Sequence, residues 1–147
     1  MISLQSLLSL THLIGLALGM GGATAKLTLV LRCRRDPALV SPYIVASRPV
    51  TRVIIAGLVL LTLSGIGWLL IGYPFTPLLG VKLVLVAAIW ILGPVIDNVV
   101  EPKFRELAPG PGESTSPAFL RSQRHYLWFE VVATGLFYVI VVMWVLG

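Results

Sequence analysis

The chain has one cysteine, two histidines, three methionines and little charge, and each scarcity excludes something. A single cysteine, Cys33, rules out an internal disulfide and a cysteine-based metal cluster. Two histidines and three methionines are a thin inventory for a copper path, which draws on imidazole and soft sulfur ligands. Charged residues make up 12% of the 147, where a soluble domain carries roughly 25%. Hydrophobic residues reach 57%, more than one small core can hide, so the surplus must face lipid. The usual catalytic signatures are also missing: there is no HExxH, no G-x-S-x-G, no P-loop and no paired zinc-ligand set. Gly19-Met20-Gly21-Gly22 follows no strand and reads as a membrane packing run, not a nucleotide loop.

What remains is apolar sequence in four long runs. A helix needs about 20 apolar residues to cross a bilayer's hydrocarbon. Spans are predicted from about Leu4 to Leu31, Val53 to Gly72, Leu79 to Val100 and Tyr126 to Leu146. No short alternation of a barrel strand is present. The fold class is therefore all-α, an integral membrane four-helix bundle forming one domain over residues 1–147. Ala23-Thr24-Ala25 has the small-residue form of a signal cleavage site. No Lys or Arg precedes the apolar run, however, so the first segment is read as a retained helix.

The net charge of +5 is concentrated between spans. The first loop, Arg32 to Arg52, holds Arg32, Arg34, Arg35, Arg48 and Arg52 against Asp36. The third, Glu101 to Arg124, holds Lys103, Arg105, Arg121 and Arg124, and the short second loop, Tyr73 to Leu78, has no charge. Basic loops mark the cytoplasmic side, so both are expected inside and both termini outside, in a cytoplasmic membrane. This topology explains the positive charge, and no nucleic-acid partner is expected. Pro109-Gly110-Pro111-Gly112 and the polar stretch after it predict a flexible tether over about 101–124. Tyr43, Ile44 and Val45, set between prolines, are expected against the lipid headgroups, and Cys33 is expected as a loop thiol among arginines. Trp68, Tyr73, Phe75 and Trp144 at one side, with Tyr126, Trp128 and Phe129 at the other, read as interfacial belts. Trp90 reads as a core residue.

Polar residues inside the spans are the informative ones. His12, Gly15, Gly19, Gly22 and Lys26 recur at steps of three or four and fall within about 80° of one helix face. This face is small in its middle and polar at both ends, which places it inside the bundle. The third span repeats the plan with Lys82, Val86, Ile89, Gly93 and Asp97, and Gly93-Pro94 predicts a kink. Both polar pairs are separated by about 21–22 Å of helix rise. Lys26 and Asp97 therefore share an inner level, with Glu130 of the fourth span. A cation between carboxylates offsets the cost of burying charge, so Lys26, Asp97 and Glu130 are predicted as one intramembrane cluster. His12 and Lys82 share the outer level, where an imidazole suits haem iron, a quinone or a proton relay. His125 lies at the opposite boundary, which leaves Met143 as a second ligand by level. Asp97-Asn98 with Glu101 reads as a solvated helix end before it reads as a metal edge, and no metal site is predicted.

Thr11-His12-Leu13-Ile14-Gly15 to Gly21-Gly22-Ala23-Thr24, Leu63-Ser64-Gly65-Ile66-Gly67 and Val81-Lys82-Leu83 resemble a broad group of small bacterial membrane proteins. The group includes the membrane part of the copper-resistance D family, the HemJ type of protoporphyrinogen oxidase and many uncharacterised four-helix proteins. The resemblance implies functional roles for His12 and Lys82, with haem b as the implied cofactor.

Three readings follow. The first is an accessory or redox-linked subunit that sits in the lipid bilayer and associates with other membrane subunits or with itself. The second is a haem- or porphyrin-binding redox protein using His12 and Lys82. The third is a small proton-coupled transporter working through Lys26, Asp97 and Glu130, or a copper-handling protein.

Overall fold

The computed structural model describes residues 3–110 and 112–146. Its described residues are helices and connections, with no strand. Helix α1 spans Leu4–Arg35, α2 Val40–Leu70, α3 Pro77–Val95, α4 Glu101–Glu106 and α5 Pro117–Leu146. A 3₁₀ turn, Pro37–Leu39, joins α1 to α2, and a π-helical turn, Ile96–Val100, joins α3 to α4. Counting α3, the π turn and α4 as one unit, four helices are long and apolar enough to cross a membrane.

Local chemistry sets the ends. The Ser3, Thr76 and Ser116 hydroxyls accept the backbone N–H groups of Ser6, Leu79 and Phe119, capping α1, α3 and α5. Pro77 and Pro117 occupy first helical positions, where a missing N–H costs nothing. Just past α2, Gly72 takes φ +91°, the left-handed conformation that turns the chain back toward α3.

Three of the helices are far longer than a bilayer needs. α1, α2 and α5 have 32, 31 and 30 residues. The extra turns lie at the basic end, where the sequence predicts loops. Residues 40–52 are helical, not loop, and the third connection shrinks to 107–116 because 101–106 and 117–125 are helical too. Arginines and prolines read as loop, but the charges are distributed along helix faces that continue past the apolar stretch. Pro42 sits in the first turn of α2, where it is tolerated, and only Pro49 interrupts the helix interior.

This projecting end holds the larger core: Val30, Cys33, Val40, Tyr43, Ile96, Phe104, Phe119 and Tyr126. Phe104 stacks on Tyr126 at 5.0 Å, and Tyr43 meets Phe104 edge-on at 6.1 Å. Three expectations are corrected here. Tyr43 is buried, not laid against headgroups; Tyr126 is core, not belt; and Cys33 is a buried helical thiol donating to Leu39 O, not a loop thiol. In the apolar half the core is smaller, built on Ala23, Leu58, Ile89 and Phe137, while Leu13, Leu63, Val84, Ile91 and Val142 point outward. Lipid removes the need to bury those side chains. Where the helices project past the apolar stretch, aromatic packing must hold them together. Trp90 is also corrected: it is half-exposed, and its indole N–H reaches from α3 to Thr62 of α2 at 3.0 Å.

α1 packs along α2, and α5 lies against both α1 and α3. The first contact is made by glycine. A Cβ on Gly57 would lie 2.7 Å from Gly15 O and 2.8 Å from Gly19 Cα, so the two backbones touch with no side chain between them. The predicted small-residue face of α1 is turned inward against α2.

Candidate functional site

Where the apolar stretch meets the projecting end, all four of the long apolar helical units converge on one ammonium group. Lys26 Nζ lies 3.0 Å from Glu130 Oε1, 3.2 Å from Glu101 Oε2 and 3.4 Å from Asp97 Oδ1. It also donates to Thr51 Oγ1 at 3.0 Å and sits 5.7 Å from the centre of the Tyr126 ring. Lys26 is 2% exposed, Glu130 3% and Glu101 5%. Asp97, at 28%, is the carboxylate through which the cluster meets the outside. The structure thus brings Lys26, Asp97 and Glu130 together, as the helix-face spacing predicts.

Glu101 is the fourth member and a correction. With Asp97-Asn98 it reads from the sequence as a solvated helix end. In the structure it is buried and accepts four hydrogen bonds from three side chains. Arg105 donates to Oε1 through Nε at 2.9 Å and through Nη2 in a shorter contact. Ser47 donates to Oε1 at 3.0 Å and Tyr126 to Oε2 at 3.1 Å. Since the Tyr126 hydroxyl proton goes to Glu101, Tyr43 donates to Tyr126 Oη across 2.6 Å. Arg105 Nη2 also donates to Ser47 Oγ at 2.6 Å.

The π turn sets this geometry. Pro94 cannot donate within α3, and Pro102 has no N–H for Asn98 O. Between them the backbone takes one wide turn, in which the Glu101 N–H donates to Ile96 O. α3 runs through Gly93-Pro94 to Val95, and the wide turn after it carries Asp97 and Glu101 to the same lysine.

Glu130 is the least satisfied member. Its Oε1 has the ionic contact to Lys26 but lies outside hydrogen-bond geometry, and no other polar group reaches it. Formal charge in the cluster is three carboxylates against Lys26 and Arg105. Asp97, Glu101 and Arg105 also line a cleft of about 300 Å³ with Arg48, Thr51, Arg52 and Pro102.

The outer level is organised differently. His12 Nδ1 lies 2.9 Å from Ser64 Oγ. Ser64 gives its one hydroxyl proton to backbone oxygen, Leu60 O at 2.7 Å with Leu61 O at 3.0 Å. His12 Nδ1 must therefore be the donor, which leaves Nε2 with its lone pair in the neutral ring. Lys82 and Met143 are both half-buried, and no hydrogen bond or ion pair joins Lys82 to His12. His125 is exposed at the opposite end. Among the described residues, no group of three or more His, Cys, Asp or Glu side chains is arranged to hold a metal ion.

No family model, no curated protein and no solved structure matches this chain.

Proposed function

We propose that the chain is a small accessory protein of the bacterial cytoplasmic membrane whose Lys26 cluster takes up and releases one proton. The basic end faces the cytoplasm and both termini face outward, as the concentration of Lys and Arg at one end favours. The observation that carries the reading is the set of three carboxylates gathered on one buried lysine and one arginine, reachable through Asp97 from the cleft. Burying carboxylates is costly even with Lys26 and Arg105 beside them and Arg48 and Arg52 along the cleft, and a single proton on the most buried one lowers that cost. Glu130, with an oxygen outside any hydrogen bond, is the group that carries it. Every spanning unit contributes to the cluster, so gain or loss of that proton acts on the whole bundle, and through it on a neighbouring membrane protein.

The test is the pH dependence of stability in mild detergent. The folded cluster holds a proton that the unfolded chain's carboxylates release at neutral pH. The folded state then binds more protons, and stability falls as pH rises through loss of that proton. Glu130→Gln supplies the neutral group permanently and flattens the slope. An identical slope in wild type and variant would overturn the reading.

One observation favours a second reading, a redox protein of the HemJ type. The Ser64 contact fixes His12 in the tautomer whose Nε2 can bind iron, the arrangement typical of ligating histidines. In that reading His12 holds haem b, with Lys82 and Met143 at the same level. A Soret band in wild type purified with haem supplied, lost in His12→Ala, is the expected result. A colourless wild type would dismiss it.

A further inference from the structure

The cleft beside the Lys26 cluster has a feature that the proton reading does not use. Arg48 and Arg52 lie one turn apart on α2, with Thr51 between them, and both line the cleft. Both are exposed, and neither has a hydrogen bond or ion pair among the described residues. Arg105, on the opposite wall, is held by Glu101 and Ser47, so the two α2 guanidiniums are the free cations of the site. Position matters as much as charge. Arg52 is followed directly by the apolar run from Val53, and Val99 on the facing π turn is 65% exposed. The cleft therefore sits at the depth of lipid headgroups. Basic pockets between spanning helices at that depth recognise acidic headgroups, and guanidinium groups match phosphate geometry.

We infer that this cleft binds the phosphate of an anionic phospholipid, with Arg48 and Arg52 as its contacting groups. Its volume of about 300 Å³ accommodates a glycerophosphate headgroup. The inference does not depend on the cluster's proton. Asp97 and Glu101 line the inner wall, where they place the lipid's negative charge toward the α2 arginines and away from the cluster.

The experiment is native mass spectrometry of the full chain, delipidated in detergent and titrated with phosphatidylglycerol, phosphatidylcholine or inorganic phosphate. Phosphatidylglycerol is expected to bind in preference to phosphatidylcholine. Arg48→Gln/Arg52→Gln should weaken it about thirtyfold, the loss expected of two basic groups at a membrane surface. Both side chains are exposed and unpaired, so the fold should survive. Arg34→Gln/Arg35→Gln removes equal charge from exposed positions outside the cleft and should leave binding unchanged. Equal weakening in the two double variants would reduce the effect to general basic charge and overturn the site. Equal binding of phosphatidylcholine would overturn the headgroup preference. Displacement of the lipid by inorganic phosphate would make this a free-anion site instead.

Discussion

Lys26→Met should unfold the bundle more readily than any other single change to its charged residues, by about 3–5 kcal/mol, the usual cost of removing one partner from a buried ion pair. Asp97 and Glu101 then share the site with only Arg105 to offset them, beside the protonated Glu130, and Glu101 is almost fully buried. The methionine fills the space, so lost volume is not the cause. Denaturant unfolding in mild detergent measures the loss. Glu130→Gln in the same chain should leave that loss almost unchanged, because Glu130 already carries the proton and is uncharged. The two substitutions are then close to additive. Lys82→Met is the control: Lys82 has no ion pair, and the change should be nearly neutral. Equal losses for Lys26→Met and Lys82→Met would mean that the cluster holds nothing together.

Gly57→Leu should separate α1 from α2. The new Cβ meets Gly15 O and the Gly19 backbone, which have no side chain to swing away. Overpacking typically costs about 1–3 kcal/mol where side chains can give, and here the loss should be about 3 kcal/mol or more. The same separation moves Lys26 of α1 away from Thr51 of α2 and loosens the cluster. Gly65→Ala, with nothing within 4 Å of its Cβ, should leave stability unchanged or slightly raised. Thermal unfolding of the two variants side by side gives the comparison. A Gly57→Leu protein as stable as Gly65→Ala would show that the close backbone contact is dispensable.

Much of this arrangement was legible where the sequence is periodic. Four apolar runs of spanning length, the glycine face of α1 and the alignment of Lys26 with Asp97 all follow from helix geometry and from lipid as solvent. The misreadings cluster at the basic end. There, charge and proline suggested loops, while the chain continues as helix because aromatic side chains bury one face. The signal was present in unbroken steps of four: Tyr43, Ser47 and Thr51 on α2; Asp97, Glu101 and Arg105 across the π turn; Tyr126 and Glu130 on α5. Each set faces Lys26 or its partners. Pro102 masked the second set, since a proline after an acidic residue also marks an ordinary helix start. Burial of Tyr126 was not readable, because a tyrosine at the start of an apolar run fits a membrane belt equally well. The His12–Ser64 bond was beyond the sequence too, because many hydroxyls lie at compatible levels and only packing selects one.

A proton held on Glu130 should be visible by infrared spectroscopy of the protein in lipid vesicles at neutral pH. The carbonyl stretch of a protonated carboxylic acid, shifted in heavy water, is expected in wild type and should be missing in Glu130→Gln. A wild-type spectrum without that band, or a band that survives the substitution unchanged, would contradict it.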